Sequence, residues 1–240
     1  MYRILLSCLL IISFLPNPAT AQHYQHTSLW LRLNINLDLS KHWMLTGDVL
    51  YRRQNDFHES SLNFLSRPYL NPSGRVGITY RTPHWAITAF PFVWFNSFPT
   101  LGKATDFERP MVSELRPSLY AEWSQGLSKA WSVRLRGGYE YRAFLNDPTT
   151  GRIRFRAMVR YAVSPRLYGY IWEEVMTAAP PRASLNPQPI DINRVNLMVG
   201  RNFSKHYALE AGYQFTHRQR RTLIEFDEEH ALTITGILRF

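Results

Sequence analysis

The residues best equipped for chemistry in this sequence are arginines and carboxylates set at alternate positions. Arg152, Arg154, Arg156 and Arg160 share one parity, with no acidic residue among them. Arg134, Arg136, Glu140 and Arg142 repeat the pattern one segment earlier. Glu114 and Arg116 precede them, and Arg194 and Glu210 follow. Arg32, Asp38, Asp48, Arg52 and Arg239 fall on the same kind of face. An arginine fork pairs with a carboxylate through two parallel hydrogen bonds, so interleaved signs suit an internal brace. A surplus of arginine suits an anion or a phosphate group. Glu140 and Glu210 offer partial neutralisation from neighbouring segments, and the residues alone leave both outcomes open.

A nucleophile is harder to find. His58-Glu59-Ser60 sets a histidine and a serine two apart, on one face of an extended chain. A serine nucleophile needs a base in reach and an orienting group behind it, a role open to Asp56 or Glu59. This spacing is similar to that of outer-membrane lipid hydrolases of the phospholipase and lipid A deacylase kind. Those enzymes follow the serine with asparagine, whereas Ser61 stands here. The segment reads as a polar loop, and His58 and Ser60 are the only catalytic candidates it offers. The histidines show no His-x-x-x-His or His-Glu-x-x-His spacing, and there is no glycine-rich phosphate loop. The single cysteine, Cys8, excludes an intramolecular disulfide and any cysteine-based zinc site. No metal and no cofactor is expected.

The charged positions need elements of period two to hold them. From Leu29 to Leu39 every odd residue is Leu or Ile, and the even ones are Trp30, Arg32, Asn34, Asn36 and Asp38. Such alternation is a strand with one apolar and one polar face. It returns at 131–143, 152–161, 207–216 and 232–240. Eleven strands are expected: 28–39, 42–54, 74–82, 84–95, 111–124, 130–144, 151–162, 166–177, 191–203, 206–218 and 229–240. Tight turns recur about every 40 residues, the length of two strands with a short turn and a longer loop. Each turn is followed by a large residue: Trp43, Trp85, Trp131, Leu167 or Tyr207. The remaining connections, 55–73, 96–110, 145–150, 178–190 and 219–228, are longer and polar.

Short turns at one end and long loops at the other is the plan of a transmembrane β-barrel, and ~10-residue strands suffice to cross a bilayer at a tilt. A propeller blade would pack four short strands into one repeat, and these strands are too long for that. A soluble sandwich also alternates, but its inner face is apolar. Here the denser charge lies on the polar face, and aromatics gather at strand ends. Trp43, Trp85, Trp131, Tyr207 and Phe240 would form an interfacial girdle at one level. Trp94, Phe95 and Phe98 would form the other girdle, or a sugar-binding patch. Bacterial single-chain barrels have even strand numbers. Ten to twelve strands are expected, with 60–70 as the twelfth. That extra strand would put the first tight turn at the long-loop end.

Composition agrees. Mean hydropathy is -0.28 with 14% aromatics and 45% apolar residues, which excludes both a helical membrane bundle and a disordered chain. A net charge of +10 would suit nucleic acid. These arginines alternate with lipid-facing residues, however, so anionic lipopolysaccharide and outer-membrane lipids are the expected partners. At the start, Arg3, the apolar run 4–15 and Ala19-Thr20-Ala21 read as a signal peptide over 1–21, with the barrel over 22–240.

Two resemblances follow. The segment from His230 to Phe240, alternating and closing on an aromatic, resembles the final strand by which outer-membrane barrels are recognised by the barrel-assembly machinery. More narrowly, residues 28–240 resemble a bacterial family known as domain of unknown function 2490. The likeness rests on Trp30, Lys41-His42-Trp43, Glu114-Leu115-Arg116, Gly138-Tyr139-Glu140-Tyr141-Arg142, Arg152-Ile153-Arg154, Asn193-Arg194 and Leu209-Glu210-Ala211-Gly212-Tyr213. It implies an outer-membrane barrel and brings no established activity. A monomer in the outer membrane of a Gram-negative bacterium is expected.

Overall fold

The computed structural model describes residues 22–55, 67–97, 99–145, 148–179, 190–220, 222 and 224–240. Segment 1–21, expected to be a signal peptide, the catalytic candidates His58 and Ser60, and Phe98 lie outside the described residues.

Twelve strand segments form one sheet. They are β1 (Gln22–Asp38), β2 (Trp43–Gln54), β3 (Arg67–Arg81), β4 (Trp85–Ser97), β5 (Val112–Leu115), β6 (Ser118–Gly126), β7 (Trp131–Phe144), β8 (Thr150–Ala162), β9 (Leu167–Ala179), β10 (Ile192–Asn202), β11 (Tyr207–Gln219) and β12 (Glu225–Arg239). A short 3-10 helix, Ala104–Glu108, lies between β4 and β5. Each strand pairs with its neighbours in chain order, and β1 pairs with β12, so the sheet is a closed barrel. Segments β5 and β6 are two halves of one wall strand. Both lie between β4 and β7, interrupted at Arg116-Pro117. Pro117 has no N–H to give the ladder, which accounts for the break there.

The twelve segments therefore occupy eleven wall positions. The extra segment comes from this break. Of the expected strand 60–70, residues 67–70 belong to β3 and 60–66 lie outside the described residues. An odd meander must close on strands that run the same way. β1 and β12 are accordingly parallel, in register from Gln22↔Glu225 to Asn36↔Arg239. The first tight turn shares an end with the others, contrary to the expectation. Phe240 donates its N–H to Asn36 and Arg81 donates to the His42 carbonyl, at 2.9 and 2.8 Å.

The turns repeat because their chemistry repeats. Ser40, Ser128, Ser164 and Ser204 each accept, on the hydroxyl, the backbone N–H three residues on, at 3.0–3.1 Å. Thr82 does the same for Trp85 at 3.1 Å. Such a side-chain bond closes a turn without backbone strain.

The two faces of the wall separate the barrel from a sandwich. Outward Leu31, Leu33, Ile35, Leu37, Leu209, Leu232 and Val199 are all exposed, whereas inward Asp48, Glu114, Glu140, Glu174 and Glu229 are buried. A continuous exposed apolar band of this kind belongs against lipid. Trp43, Trp85, Trp131, Tyr207 and Phe240 stand exposed at the short-turn end. One expectation for the opposite rim fails. The register of β3 against β4 shifts between Val76/Ile78, so β4 carries a bulge near Phe90-Pro91. Phe92 and Trp94 face out, while Phe90 and Val93 are buried inside and Phe95 packs against them.

Candidate functional site

The lumen gathers the charged residues that alternation placed on one face. Its centre is Glu174 of β9, 1% exposed. Arg154 and Arg156 of β8 reach it at 2.5 and 3.0 Å, Arg136 of β7 at 3.3 Å and Arg194 of β10 at 3.9 Å. Arg154 also holds Glu140 of β7 at 2.6 Å, so one guanidinium bridges two carboxylates. Glu140 accepts the Tyr120 hydroxyl at 2.7 Å and has Arg152 and Arg116 at 3.9 and 4.0 Å. Glu114 pairs with Arg142 at 2.6 Å and with Arg116. Asp48 stands 3.4 Å from both Arg32 and Arg75, and Glu229 stands 3.7 Å from Arg52. Arg134 pairs with Glu122 at 3.3 Å.

Glu210 is different. Its partners are two phenols, Tyr168 at 2.7 Å and Tyr170 at 2.6 Å. Two inward glycines make the tyrosine positions possible. A Cβ on Gly138 would lie 2.1 Å from the Tyr120 ring, and one on Gly200 would lie 2.4 Å from the Tyr168 ring. Each phenol therefore lies flat over a neighbouring strand to reach its glutamate.

Below this network is a cavity of about 1000 Å³ that reaches the short turns at Pro165, Arg166, Ser204 and Lys205. Eleven cationic side chains line it, among them Arg136, Arg156, Arg160 and Arg194, against one carboxylate, Glu210. Glu174 and Glu140 stand behind their arginines and do not line it. Some arginines stack on aromatics as well. Arg156 lies 4.1 Å over Trp172 and Arg160 lies 4.2 Å over Tyr168. Fixed cations around a low-dielectric chamber attract anions.

At the long-loop end one segment turns inward. Segment 99–109 leaves the wall after β4 and crosses to β1, β2, β11 and β12. Gln54 of β2 donates to the Pro99 carbonyl at 2.8 Å and accepts the Leu101 N–H at 3.1 Å. Asp106, fully buried, takes both Arg220 terminal nitrogens at 3.0 Å, while Arg220 Nε donates to Asp227 at 2.7 Å. Lys103 pairs with Glu225, and that bond holds its ammonium above the usual lysine range. The Arg220 guanidinium also lies 4.4 Å over Tyr24.

The structure brings Glu114, Arg116 and Arg142 together, sets Arg152 and Arg154 beside Glu140, and places Glu210 with Arg134, Arg136, Arg156 and Arg194 on the cavity wall. Glu174, Tyr120, Asp106 and Arg220 were not anticipated. Inward positions on β9 read Tyr168, Tyr170, Trp172, Glu174, Met176 and Ala178, a face that passes for apolar. The hydrolase candidates His58 and Ser60 fall outside the described residues.

Among solved structures, the NanC porin aligns with TM-score 0.45 and 11% identity, covering 79% of this chain and 81% of that one. An outer membrane channel from Pseudomonas putida F1 aligns with TM-score 0.44 and 15% identity, covering 78% and 74%. OmpT of Vibrio cholerae aligns with TM-score 0.35 and 10% identity, covering 75% and 57%. No curated protein matches the chain. Residues 27–226 match the family described as protein of unknown function (DUF2490), and with most of its length inside that match the chain belongs to this family.

Proposed function

We propose that the protein is an outer-membrane barrel of a Gram-negative bacterium whose lumen admits small anions from the periplasmic side. Short turns face the periplasm in barrels of this plan, so the cavity opens inward to that compartment. Segment 99–109 closes the outer mouth and makes the path narrow and gated. The observation that carries this reading is the lining of eleven cations against one carboxylate. The Arg–Glu pairs brace the wall at the same time. Because the carboxylates sit behind the guanidinium groups, bracing leaves the chamber positive.

The test is a reversal potential. The barrel is refolded into a planar bilayer under a KCl gradient. The expected sign is that of chloride preference. Arg160 has an aromatic partner, Tyr168, and lines the cavity. Arg160→Glu should move the potential toward potassium. Potassium preference in the unaltered protein would overturn the proposal.

A further inference from the structure

We propose that His23, His217 and Glu228 form a site for one divalent transition-metal ion of the zinc class, on the outside of the barrel at its long-loop end. They lie on β1, β11 and β12, three adjacent strands at the parallel seam. The ladder sets His23 opposite Phe226 and His217 opposite Glu228. All three side chains face outward. The outward residues of β1 are apolar from Leu29 to Leu39 and turn polar at Thr27, Gln25 and His23. The cluster therefore stands clear of the lipid band, where a hydrated ion can reach it.

The geometry fits. Nδ1 of His23 is 2.7 Å from Glu228 Oε1, and Nδ1 of His217 is 3.7 Å from the same oxygen. One ligand atom from each residue lies within 4.8 Å of the others. Ligands about 2.0–2.1 Å from a tetrahedral zinc stand roughly 3.3 Å apart, between the two distances. Small side-chain rotations suffice to seat the ion. A hydrogen bond to Glu228 accounts for His23. The second imidazole, stacked on Phe226, brings its Nδ1 to 3.7 Å from the same oxygen.

The surroundings also hold the ligands in place. Phe226, with 0% exposure, lies against both imidazoles, with ring centroids at 5.3 and 4.8 Å and 19° between planes in both cases, and the two imidazole centroids stand 5.8 Å apart. The Gln25 amide donates to Glu228 Oε2 at 3.3 Å, which leaves Oε1 for the metal. A ligand oriented by an outer hydrogen bond is the usual support of a metal site. Two imidazoles and one carboxylate leave a fourth position for water, and this donor set suits zinc among the available ions. The sequence showed no such site because its members come from separate strands, not from one local spacing.

Zn²⁺ titration of the refolded, untagged barrel in detergent tests the site, after chelator treatment and with calorimetric readout. The expected result is one equivalent bound. H217Q and E228Q should each weaken affinity at least tenfold, Q25A should weaken it less, and H42A at the opposite end should leave it unchanged. The gel shift between unheated and heated samples checks that each variant is folded. Absence of saturable one-equivalent binding in the unaltered protein would overturn the proposal. So would equal affinity in folded H217Q and E228Q, or an equal loss in H42A.

Discussion

Glu174 carries more of the lumen than any other carboxylate described. Four arginines from three strands lie within 4.0 Å of it, and it is almost completely shielded from solvent. Removing one charge from such a cluster leaves the rest buried without compensation, at a cost of about 3–5 kcal/mol. Glu174→Gln should therefore lower the midpoint of urea unfolding in detergent strongly. Glu210→Gln should lower it much less, because two phenol donors still find an acceptor. Similar losses at both positions would show that the arginine cluster does not depend on Glu174. The two residues also differ in how readable they were. Glu210 alternates with Leu209 and Ala211 in a plain in–out pattern. Glu174 stands beside Glu173 on a strand whose inner face is aromatic, so parity was ambiguous. The aromatics are there because guanidinium groups stack on them, a preference that hydropathy does not register.

Strands were legible and their irregularities were not. Period-two alternation located the wall, and turn residues located the short ends, because lipid on one side and charge on the other enforce both. The bulge in β4 shifts parity by one residue, which reversed the direction expected for Phe95. Segment 99–109 read simply as a polar loop. Its inward course depends on Arg220, which is far away in sequence and holds Asp106 and Asp227 together. Arg220 has no substitute in that contact, since Arg109 reaches Asp106 only from the exposed side at 3.3 Å. Arg220→Met should free the segment from the far wall while leaving the strands paired. Conductance across a planar bilayer should rise several-fold in this variant, with the heat-induced gel shift retained. Unchanged conductance would show that the segment is held by its Gln54 and Lys103 contacts, or that it is not the barrier.

At the scale of the whole molecule, the odd wall count has a consequence for orientation. The first and last strands of an eleven-position meander run together, from the long-loop end down to the short turns. Residue Gln22 therefore lies beside Glu225 at the long-loop end, bonded to the Ile224 carbonyl at 3.1 Å. An even barrel would put the start of its first strand at the short-turn end, which is why the sequence pattern alone points to a twelfth strand. Fifteen register pairs join β1 to β12, so β1 is a full member of the wall rather than a tail lying along it. With the short turns in the periplasm, an epitope placed directly before Gln22 should be reached by antibody on intact cells. One placed in turn 163–166 should be reached only after the outer membrane is opened. Each failure has its own meaning. If neither epitope is reached on intact cells, β1 does not descend from outside and the wall is not closed by a parallel pair. If the pattern is reversed, the closure stands but the barrel is inverted in the membrane. The arginine-lined cavity would then open to the exterior, and the anion it attracts would come from outside the cell.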